Sequence, residues 1–378
     1  MKKIVFVSTF SDFFWTFEKS NLNIVKSKGY KIYIVANFSE KSRNEHKDYF
    51  LNMGATLIDV PFERNPFRKE TVICYKEIKR IIREINPNII DCHLAVPGVL
   101  CRMAVWRKKD IKVIYSPHGF FFYKGCPLFN ILIYRSVERI MARRTDALIT
   151  INSEDYRNAK KMKLRGKSYF LPGVGVDINS IETVIPAVDI RTELNIQEDM
   201  FLFLSIGELN KNKNHETVIR AMGDLKKRGI VNFHYLICGR DGPEKEKIIL
   251  LSKQYGIDRR VHYLGFRTDI ANIAKQVNVF VLPSFKEGLS VSIIEAMACG
   301  LPILASNIRG NNDLVVTNKG GFLFNPQKPI ELAEHMKFLL ENEEFRDKAY
   351  SFNLAEVQKY SNLNVISKMQ KIYSEMEK

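Results

Sequence analysis

Short apolar runs alternate with amphipathic helical patterns along the whole chain, and this alternation constrains the fold more than any other feature. The runs in the first half are KIVFVS, KIYIVAN, TLIDV, NIIDCH, KVIYS and DALITIN. Those in the second half are FLFLSIG, FHYLICG, VHYLGF, VFVLPS, PILAS and GFLF. Between them lie stretches such as KETVICYKEIKRIIREI, with apolar residues at intervals of three and four. This repeated strand–helix order predicts an α/β protein with parallel, doubly wound sheets.

The length of 378 residues is too great for one compact core, so we predict two domains. The periodic pattern breaks at LPGVGVDINSIETVIPAVDI, which indicates a linker at about residues 173–195. We expect a Rossmann-like domain over 1–180, a second over 181–360, and a C-terminal helix over 361–378 that packs back on the first domain. Two such domains would face each other across a cleft at the carboxyl ends of their strands, where sheets of this kind bind ligands.

Several common chemistries are disfavoured by the sequence. No G-x-G-x-x-G fingerprint follows the first strand, and GKS at 166–168 lacks the preceding glycine of a P-loop, so NAD and P-loop chemistry are not expected. The six cysteines are scattered without a C-x-x-C pair, which indicates a reducing cytosol, no disulfides and no structural zinc. No apolar stretch reaches the roughly 20 residues that span a bilayer.

The positive charge of the chain is concentrated in its first half. Residues 1–180 contain 32 Lys and Arg against 17 Asp and Glu, whereas the remainder contains 26 against 25, out of a net charge of +16. This asymmetry predicts an anionic partner for the first half, either a nucleic acid or a membrane surface. The alternative is a drift in composition that serves only solubility.

The segment SFKEGLSVSIIEAMACGLP, residues 284–302, contains the strongest candidate site. The apolar run before it predicts a strand, and LSVSIIEAMACG predicts a helix that Gly300 ends. Glu287 then falls in the loop between them, and the free backbone N–H groups of 288–290 suit a diphosphate. Glu295 lies two turns further on and could accept hydrogen bonds from adjacent sugar hydroxyls. In the alternative interpretation Glu287 caps the helix and Glu295 faces solvent.

Several motifs in order resemble one enzyme family. EGLSVSIIEAMACGLPILAS resembles the donor-site motif of retaining GT-B glycosyltransferases of family 4, in which seven residues separate two glutamates. GELNKNKNHETVIRAM, CGRDGPEKEKI, VHYLGFRTDI and GFLFNPQKP are similar to further signatures of that family. YSPHGFFFYKGCPLFN, DALITINSEDY and LPGVGVD look like the N-terminal halves of bacterial capsular and exopolysaccharide transferases. The resemblance covers nearly the whole chain.

The resemblance implies a role for each matching position in the second half. Lys213 would neutralise the donor diphosphate, Glu287 would contact the transferred sugar, and Glu295 would bind the ribose. The remaining donor-binding positions would be Gly207, Lys211, Arg267, Gly288, Leu289 and Ser290, with Arg267 near the base. One departure is Glu208, which stands where the family usually carries arginine, and Lys211 could supply the missing cation.

Two histidines are the candidates in the first half. His118 follows a predicted strand and precedes Gly119, so it should lie at the carboxyl edge of the first sheet and contact the sugar or the acceptor. His93 ends the preceding strand at the same edge. The alternatives are a structural histidine for His118 and a core position for His93. No carboxylate stands at ligand spacing from either residue, so we expect no metal site and no cofactor.

The resemblance implies transfer of a hexose or N-acetylhexosamine from a nucleoside diphosphate sugar, with UDP favoured, to a polyprenyl-diphosphate-linked glycan. It also implies retention of configuration and a place in surface polysaccharide synthesis. HGFFFYKGCPLFNILIYRSVERIMARR sets aromatic and aliphatic residues beside arginines, which favours peripheral docking on the anionic inner face of the cell membrane; the alternative is an ordinary helix whose apolar face is core. The rival functions are a GT-B nucleotide-sugar epimerase and a basic binding protein without enzymatic activity. No nucleic-acid-binding signature is present, so nucleic acid is not expected as a partner.

Overall fold

The computed structural model describes residues 1–39, 46–63, 65 and 68–378. The chain divides into two compact units. The first comprises Met1–Gly175 together with Asn362–Lys378, and the second comprises Val176–Ser361. The C-terminal helix therefore belongs to the first unit, although it follows the second in sequence. All six cysteines lie in the described part of the chain, and each is a buried free thiol.

The first unit is built on a seven-stranded sheet in the order β3-β2-β1-β4-β5-β6-β7, and its strands pair in parallel. The strands are β1 (Lys3–Phe10), β2 (Lys31–Asn37), β3 (Thr56–Asp59), β4 (Ile89–His93), β5 (Lys112–Ser116), β6 (Ala147–Thr150) and β7 (Lys167–Phe170). The helices are α1 (Lys19–Ser27), α2 (Lys47–Asn52), α3 (Glu70–Ile85), α4 (Ala95–Ala104), α5 (Leu128–Ala142), α6 (Ser153–Ala159) and α16 (Asn362–Met376). A π-helical turn, Phe14–Glu18, leads from β1 into α1.

The six strands predicted for this half are present, and the structure adds a seventh. The central strands are buried along their whole length, as expected of parallel strands that helices cover on both faces. Strand β7, KSYF, lies at the edge of the sheet with its end residues exposed. Two of its four residues, Lys167 and Ser168, are polar, so the sequence contains no apolar run that would predict a strand here.

Helix α16 is tied to the first sheet by buried contacts. Val365, Met369 and Ile372 lie in the core of the unit. The Tyr373 hydroxyl donates a 2.6 Å hydrogen bond to Asp91 Oδ2 on β4, and both residues are fully buried. A surface ion pair between Lys28 and Glu377, at 2.9 Å, joins the end of α1 to the end of α16.

The second unit contains a six-stranded parallel sheet in the order β10-β9-β8-β11-β12-β13. Its strands are β8 (Phe201–Ile206), β9 (Phe233–Cys238), β10 (Val261–Gly265), β11 (Val279–Leu282), β12 (Ile303–Ser306) and β13 (Gly321–Phe324). The helices are α7 (Ile178–Glu182), α8 (Ile190–Leu194), α9 (His215–Lys227), α10 (Lys245–Gln254), α11 (Ile270–Ala274), α12 (Val291–Ala298), α13 (Asn311–Leu314), α14 (Pro329–Glu341) and α15 (Glu343–Val357). Separate apolar clusters cover the two faces of this sheet. All six predicted strands are present, and the prediction of two doubly wound α/β sheets is confirmed.

Each sheet has one point where the strand order reverses direction. In the first sheet it lies between β1 and β4, and in the second between β8 and β11. The loops that leave these neighbouring strands diverge to opposite faces and leave a crevice at the carboxyl edge, which is where open α/β sheets bind ligands. Ligand-binding residues are therefore expected in the loops after β1, β4, β8 and β11.

Candidate functional site

The loops that follow β8 and β11 in the second unit are joined to each other by hydrogen bonds. The Phe285 amide donates to Asn212 O at 2.8 Å, and Asn212 Nδ2 donates to Lys286 O at 3.0 Å. Beside these bonds, Lys213 Nζ forms a 2.8 Å ion pair with Glu287 Oε1, and both side chains are mostly buried. Two candidate residues that are distant in sequence are thus in direct contact at the reversal point of the sheet.

Gly207 makes room for the lysine. A Cβ atom at this position would come within 3.0 Å of the Lys213 stem, so a larger residue would displace it. Gly239 approaches the same loop from β9, and a Cβ there would lie 2.0 Å from Gly207 O. Backbone contacts this close need glycine, because no other residue lacks the Cβ atom. Gly207, Lys213 and Glu287 therefore form one packed unit.

A buried chain of hydrogen bonds, which the sequence analysis did not identify, contacts the loop of Gly207. His215 Nδ1 lies 2.9 Å from the Tyr235 hydroxyl, which donates to Ser205 Oγ at 2.8 Å, and Ser205 Oγ donates to Val281 O at 2.6 Å. His215 Nε2 lies 3.3 Å from Gly207 O. Burial lowers the pKa of His215 to about 4, so the ring is neutral at pH 7. This chain holds the glycine loop on the ends of β8, β9 and β11.

The N-terminus of α12 is organised by Ser290. Its Oγ accepts a 3.4 Å hydrogen bond from the Ile293 amide and lies 2.9 Å from Ser292 Oγ, so Ser290 is the N-cap. The alternative interpretation in which Glu287 caps this helix is therefore wrong. Gly288 and Leu289 precede the cap, as the motif predicts.

Arg309 is a second residue that sequence reasoning missed. Its Nε and Nη2 both donate to Glu287 O at 3.3 Å, and the side chain is buried. Gly310 follows with φ of +84°, and a Cβ there would lie 2.4 Å from Gly288 O. Its position in the sequence could have indicated a role. Arg309 follows β12 as Glu287 follows β11, so both residues lie at the carboxyl edge of the sheet.

Glu295 is half-buried on α12 rather than directed fully into solvent. Burial raises its pKa from the ordinary 4.5 to about 7. A carboxylate that has lost water in this way has unused capacity to accept hydrogen bonds from a ligand.

Lys211 and Arg267 are not part of the Lys213–Glu287 pair. Lys211 is exposed and lines a separate pocket of about 280 Å³ with Glu216 and Arg220. Arg267 is held by the carboxylates of Glu193 and Asp269, with its closest contacts at 2.8 and 2.7 Å, and these partners raise its pKa further. Its guanidinium therefore orders the loop after β10.

In the first unit, the segments at the carboxyl ends of β1, β4 and β5 bring Glu18, His93 and His118 together. His93 Nδ1 lies 3.4 Å from Glu18 Oε1 and 3.3 Å from His118 Nε2, and His118 Nε2 lies 3.7 Å from Glu18 Oε1. The sequence analysis found no carboxylate partner for these histidines, and that premise was wrong. Glu18 ends a π-helical turn far from both in sequence, and only the strand order makes it their neighbour.

The cluster is buried, and burial shifts the pKa of each member. Desolvation raises the pKa of Glu18 well above its ordinary range and that of Asp91 to about 7. Desolvation also lowers the pKa of His93, with His118 adding to the effect, and lowers that of His118 to about 4. The ring of Phe13 packs against both imidazoles, at centroid distances of 5.2 and 4.8 Å.

The backbone at His118 is unusual. Its φ is +54°, in the left-handed region that few residues other than glycine adopt, although asparagine, aspartate and histidine are enriched there, and Gly119 follows at +124°. Leu94, directly after His93, also has a positive φ of +66°. Such backbone geometry persists where the surrounding structure enforces it, frequently at functional sites.

The surface of the first unit combines apolar and basic residues. Leu128, Phe129 and Leu132 at the start of α5 are largely exposed, so they are not a core face of the helix. An apolar groove of about 390 Å³ lies beside them, lined by residues of α3, α4 and α5 that include Val99 and Met103. A second pocket of about 320 Å³ is lined by Lys124, Arg135, Arg157 and Lys161, among others. Within the described ranges, no helix has the length and apolar character needed to cross a bilayer.

The fold and these sites define a glycosyltransferase of the GT-B class. Residues 188–353 match the family described as glycosyl transferases group 1, and residues 3–152 match the glycosyl transferase 4-like family. The chain belongs to these glycosyltransferases, as the sequence resemblance indicated. The GT-B fold prediction is likewise confirmed.

Individual proteins agree with this assignment. The putative glycosyltransferase EpsD of Bacillus subtilis (strain 168) is 30% identical over 378 residues, which cover 99% of this chain and 96% of that protein. A UDP-Gal:alpha-D-GlcNAc-diphosphoundecaprenol alpha-1,3-galactosyltransferase of Escherichia coli is 30% identical over 65% of this chain and 64% of its own length. The crystal structure of Anabaena HepE in complex with UDP and glucose superposes with a TM-score of 0.78 at 18% identity, covering 99% of this chain and 100% of HepE.

Proposed function

We propose that this glycosyltransferase moves a hexose or N-acetylhexosamine from a UDP-sugar to a hydroxyl of a polyprenyl-diphosphate-linked glycan. The transfer retains the anomeric configuration, serves surface polysaccharide synthesis, and takes place in the cytoplasm on the inner face of the cell membrane. The observation that carries the proposal is the Lys213–Glu287 pair beside Gly207 at the reversal point of the second sheet. An ammonium group, a buried guanidinium and a helix N-terminus converge on this point, which suits a departing diphosphate.

The chemistry follows from charge. Transfer of a glycosyl group has a transition state with positive charge on the sugar and growing negative charge on the leaving diphosphate. Stabilisation of that negative charge is the largest electrostatic contribution available to the protein. Lys213 would exchange its bond to Glu287 for one to the diphosphate, while the amides of residues 288–290 and Arg309 add positive potential. Glu287, released from the lysine, would bind hydroxyls of the transferred sugar.

The nucleoside would be held by the remaining donor residues. Glu295 would accept hydrogen bonds from the ribose hydroxyls, and the loop that Arg267 orders would contact the base. UDP is supported by the E. coli relative, whose name states a UDP-Gal donor, and by HepE, which was solved with UDP. Lysine and arginine would bind the diphosphate, so we expect no divalent ion in this step.

The first unit would bind the acceptor. His93, His118 and Gly119 lie at the reversal edge of its sheet, where we expect contacts to the sugar or the acceptor. The basic pocket with Arg135 and Lys161 suits a lipid diphosphate, and the apolar groove, which α5 also lines, suits a hydrocarbon chain. Two relatives are named as acting on diphosphoundecaprenol-linked substrates. Exposed leucines among cations on α5 support docking on an anionic membrane.

The test is a transfer assay on the full-length protein. UDP-sugars that raise the melting temperature would be incubated with a short polyprenyl-diphosphate-linked acceptor, and the product would be detected by mass spectrometry. We expect Lys213→Met and Glu287→Gln to lower kcat by roughly 100-fold or more. Lys253→Met, at an exposed lysine on α10, is the matched control, and Lys211→Met measures whether Lys211 compensates for Glu208. Wild-type turnover by folded Lys213→Met and Glu287→Gln proteins would contradict the proposed site.

Incubation with the donor alone separates transfer from epimerisation. The epimerase alternative draws support from the buried histidines and carboxylates of the first unit, which are groups that could move a proton on a sugar. An epimeric nucleotide sugar formed without any acceptor would favour that alternative. A product that appears only with the acceptor supports the transferase.

A further inference from the structure

Three potential metal-ligating atoms converge at the reversal point of the first sheet. They are Glu18 Oε1, His93 Nδ1 and His118 Nε2, and they all lie within 4.8 Å of one another. They come from three separate segments: Glu18 ends the π-helical turn after β1, His93 is the last residue of β4, and His118 follows β5. The nearest pairs are separated by 3.3, 3.4 and 3.7 Å.

Two of these separations, 3.3 and 3.4 Å, match the edges of a tetrahedral metal site, and the third, 3.7 Å, is slightly longer. Zinc bonds to imidazole nitrogen and carboxylate oxygen are about 2.0–2.2 Å long, so neighbouring ligand atoms of a tetrahedron lie roughly 3.3–3.5 Å apart. The distance of 3.3 Å between His93 Nδ1 and His118 Nε2 is at the long end for a hydrogen bond from nitrogen and equals the edge of such a tetrahedron. The three atoms are therefore spaced as ligands around one centre.

A second layer of residues orients the ligands. His93 Nε2, on the far side of the ring, lies 3.3 Å from Asp91 Oδ1, and Tyr373 donates to the other oxygen of Asp91. Asn21 Nδ2 donates to Glu18 Oε2 at 2.5 Å, which leaves Glu18 Oε1 directed towards the two histidines. In metal sites, a histidine ligand characteristically donates a hydrogen bond to a carboxylate, and a carboxylate ligand accepts one from a neighbouring donor.

Two buried carboxyl groups of the cluster have histidines, and no lysine or arginine, as their ion-pair partners among the described residues. They are those of Glu18 and Asp91, which are both almost fully buried. Asp91 Oδ1 and His93 Nε2 also have no hydrogen-bond partner of good geometry there. Phe6, Phe13 and Phe14 pack around the His93 ring. Buried carboxylates are normally paired or bound to a metal, because isolated buried charge is costly.

We propose that Glu18, His93 and His118 form a Zn²⁺ site in the first unit, with Asp91 orienting His93. Two imidazoles and one carboxylate suit zinc or a neighbouring late transition metal, whereas Mg²⁺ and Ca²⁺ prefer oxygen ligands. Three protein ligands leave a fourth position for water or a ligand oxygen. The site revises the expectation of no metal, and its test by metal binding does not depend on the proposed transferase reaction. The sugar or acceptor contact expected of His93 and His118 would then be made at the open fourth position. The donor diphosphate is still bound by residues of the second unit.

Metal binding can be measured directly on the full chain, purified without a histidine tag. We expect one equivalent of zinc by mass spectrometry of the metal content, and one equivalent rebound in calorimetry after removal by chelator. Co²⁺ in the stripped wild-type protein should give the intense visible absorption of tetrahedral coordination. This readout requires no variant to fold.

Variants locate the metal. Glu18→Gln and His118→Asn should each abolish stoichiometric binding, and Asp91→Asn should weaken it by about 10- to 100-fold. The control is His262→Asn, which alters a different histidine pair, His234 Nδ1 to His262 Nε2 at 2.8 Å, and should leave binding unchanged. The proposal fails if the wild-type protein carries and rebinds no metal. It also fails if Co²⁺ gives no tetrahedral spectrum, or if Glu18→Gln and His118→Asn bind as the wild type does.

Discussion

Replacement of Glu295 by glutamine tests two expectations. The half-buried carboxylate should lower the stability of the folded protein, and it should contribute to ligand binding. Burial raises the pKa of Glu295 from about 4.5 to about 7, so the folded protein holds a proton that the unfolded chain releases. Stability from this group is therefore present at low pH and is lost as the pH rises from about 4.5 to about 7, with no further loss above that. Glutamine cannot ionise and should remove this dependence.

The size of the effect follows from the shift. Each pKa unit corresponds to about 1.36 kcal/mol, which sets an upper limit of about 3 kcal/mol. Because the side chain is only half-buried, solvent screens part of this, and we expect about 2 kcal/mol. Glu295→Gln should thus unfold with nearly the same free energy as the wild type near pH 4 and be about 2 kcal/mol more stable near pH 8.5. The same change should weaken UDP binding, because one of the two oxygens that would accept from the ribose hydroxyls becomes an NH2 donor.

The assay is urea unfolding of both proteins at about pH 4, 7 and 8.5, with UDP affinity measured by calorimetry at each pH. Wild-type affinity for UDP should increase between about pH 6 and 8 as Glu295 ionises. Glu246→Gln, at an exposed glutamate on α10, serves as the control for charge removal. The reasoning is refuted if the stability difference between wild type and Glu295→Gln is the same at every pH.

Three further changes test other parts of the structure. Gly239→Ala places a Cβ 2.0 Å from Gly207 O and should destabilise the second unit by about 3 kcal/mol in thermal unfolding; a loss within about 0.5 kcal/mol would show that the loop relaxes easily. Arg309→Met removes two hydrogen bonds to Glu287 O and should weaken UDP binding roughly tenfold while leaving uridine binding unchanged; equal losses for both ligands would contradict a role at the diphosphate. Leu132→Ser, at a largely exposed position, should lower co-sedimentation with anionic vesicles roughly tenfold with little change in stability; unchanged, salt-insensitive sedimentation would remove α5 from the membrane interface.

Much of the donor site was predictable because its signals are local. The apolar run before residue 284 and the helical pattern after it predict a strand, a loop and a helix, and the structure has β11 and α12 there with Ser290 as the cap. Glycine at 207 and lysine at 213 were identified from a motif resemblance. Their contact with Glu287 was not predictable from spacing, because it depends on β8 and β11 being neighbours in the sheet.

The residues that sequence reasoning missed share one property: their partners are distant in the chain. Glu18 ends an irregular π-helical turn, and only the pairing of β1 with β4 sets it beside His93. Arg309 carries no motif of its own and reaches Glu287 because β12 lies next to β11. The partner of Arg267 was missed for the same reason: Glu193, from a short helix before β8, forms an ion pair with its guanidinium.

The sequence by itself determined the succession of strands and helices, since period, caps and apolar runs depend on residues a few positions apart. It also indicated which loops contain functional residues, because the polar residues that follow an apolar run lie at the end of the predicted strand. The tertiary structure alone decided which loops meet, because strand order is a property of the whole sheet. It also decided which side chains lose water, and desolvation shifts the pKa values of Glu18, Asp91 and Glu295. No local pattern encodes the number of distant atoms that will surround a carboxylate.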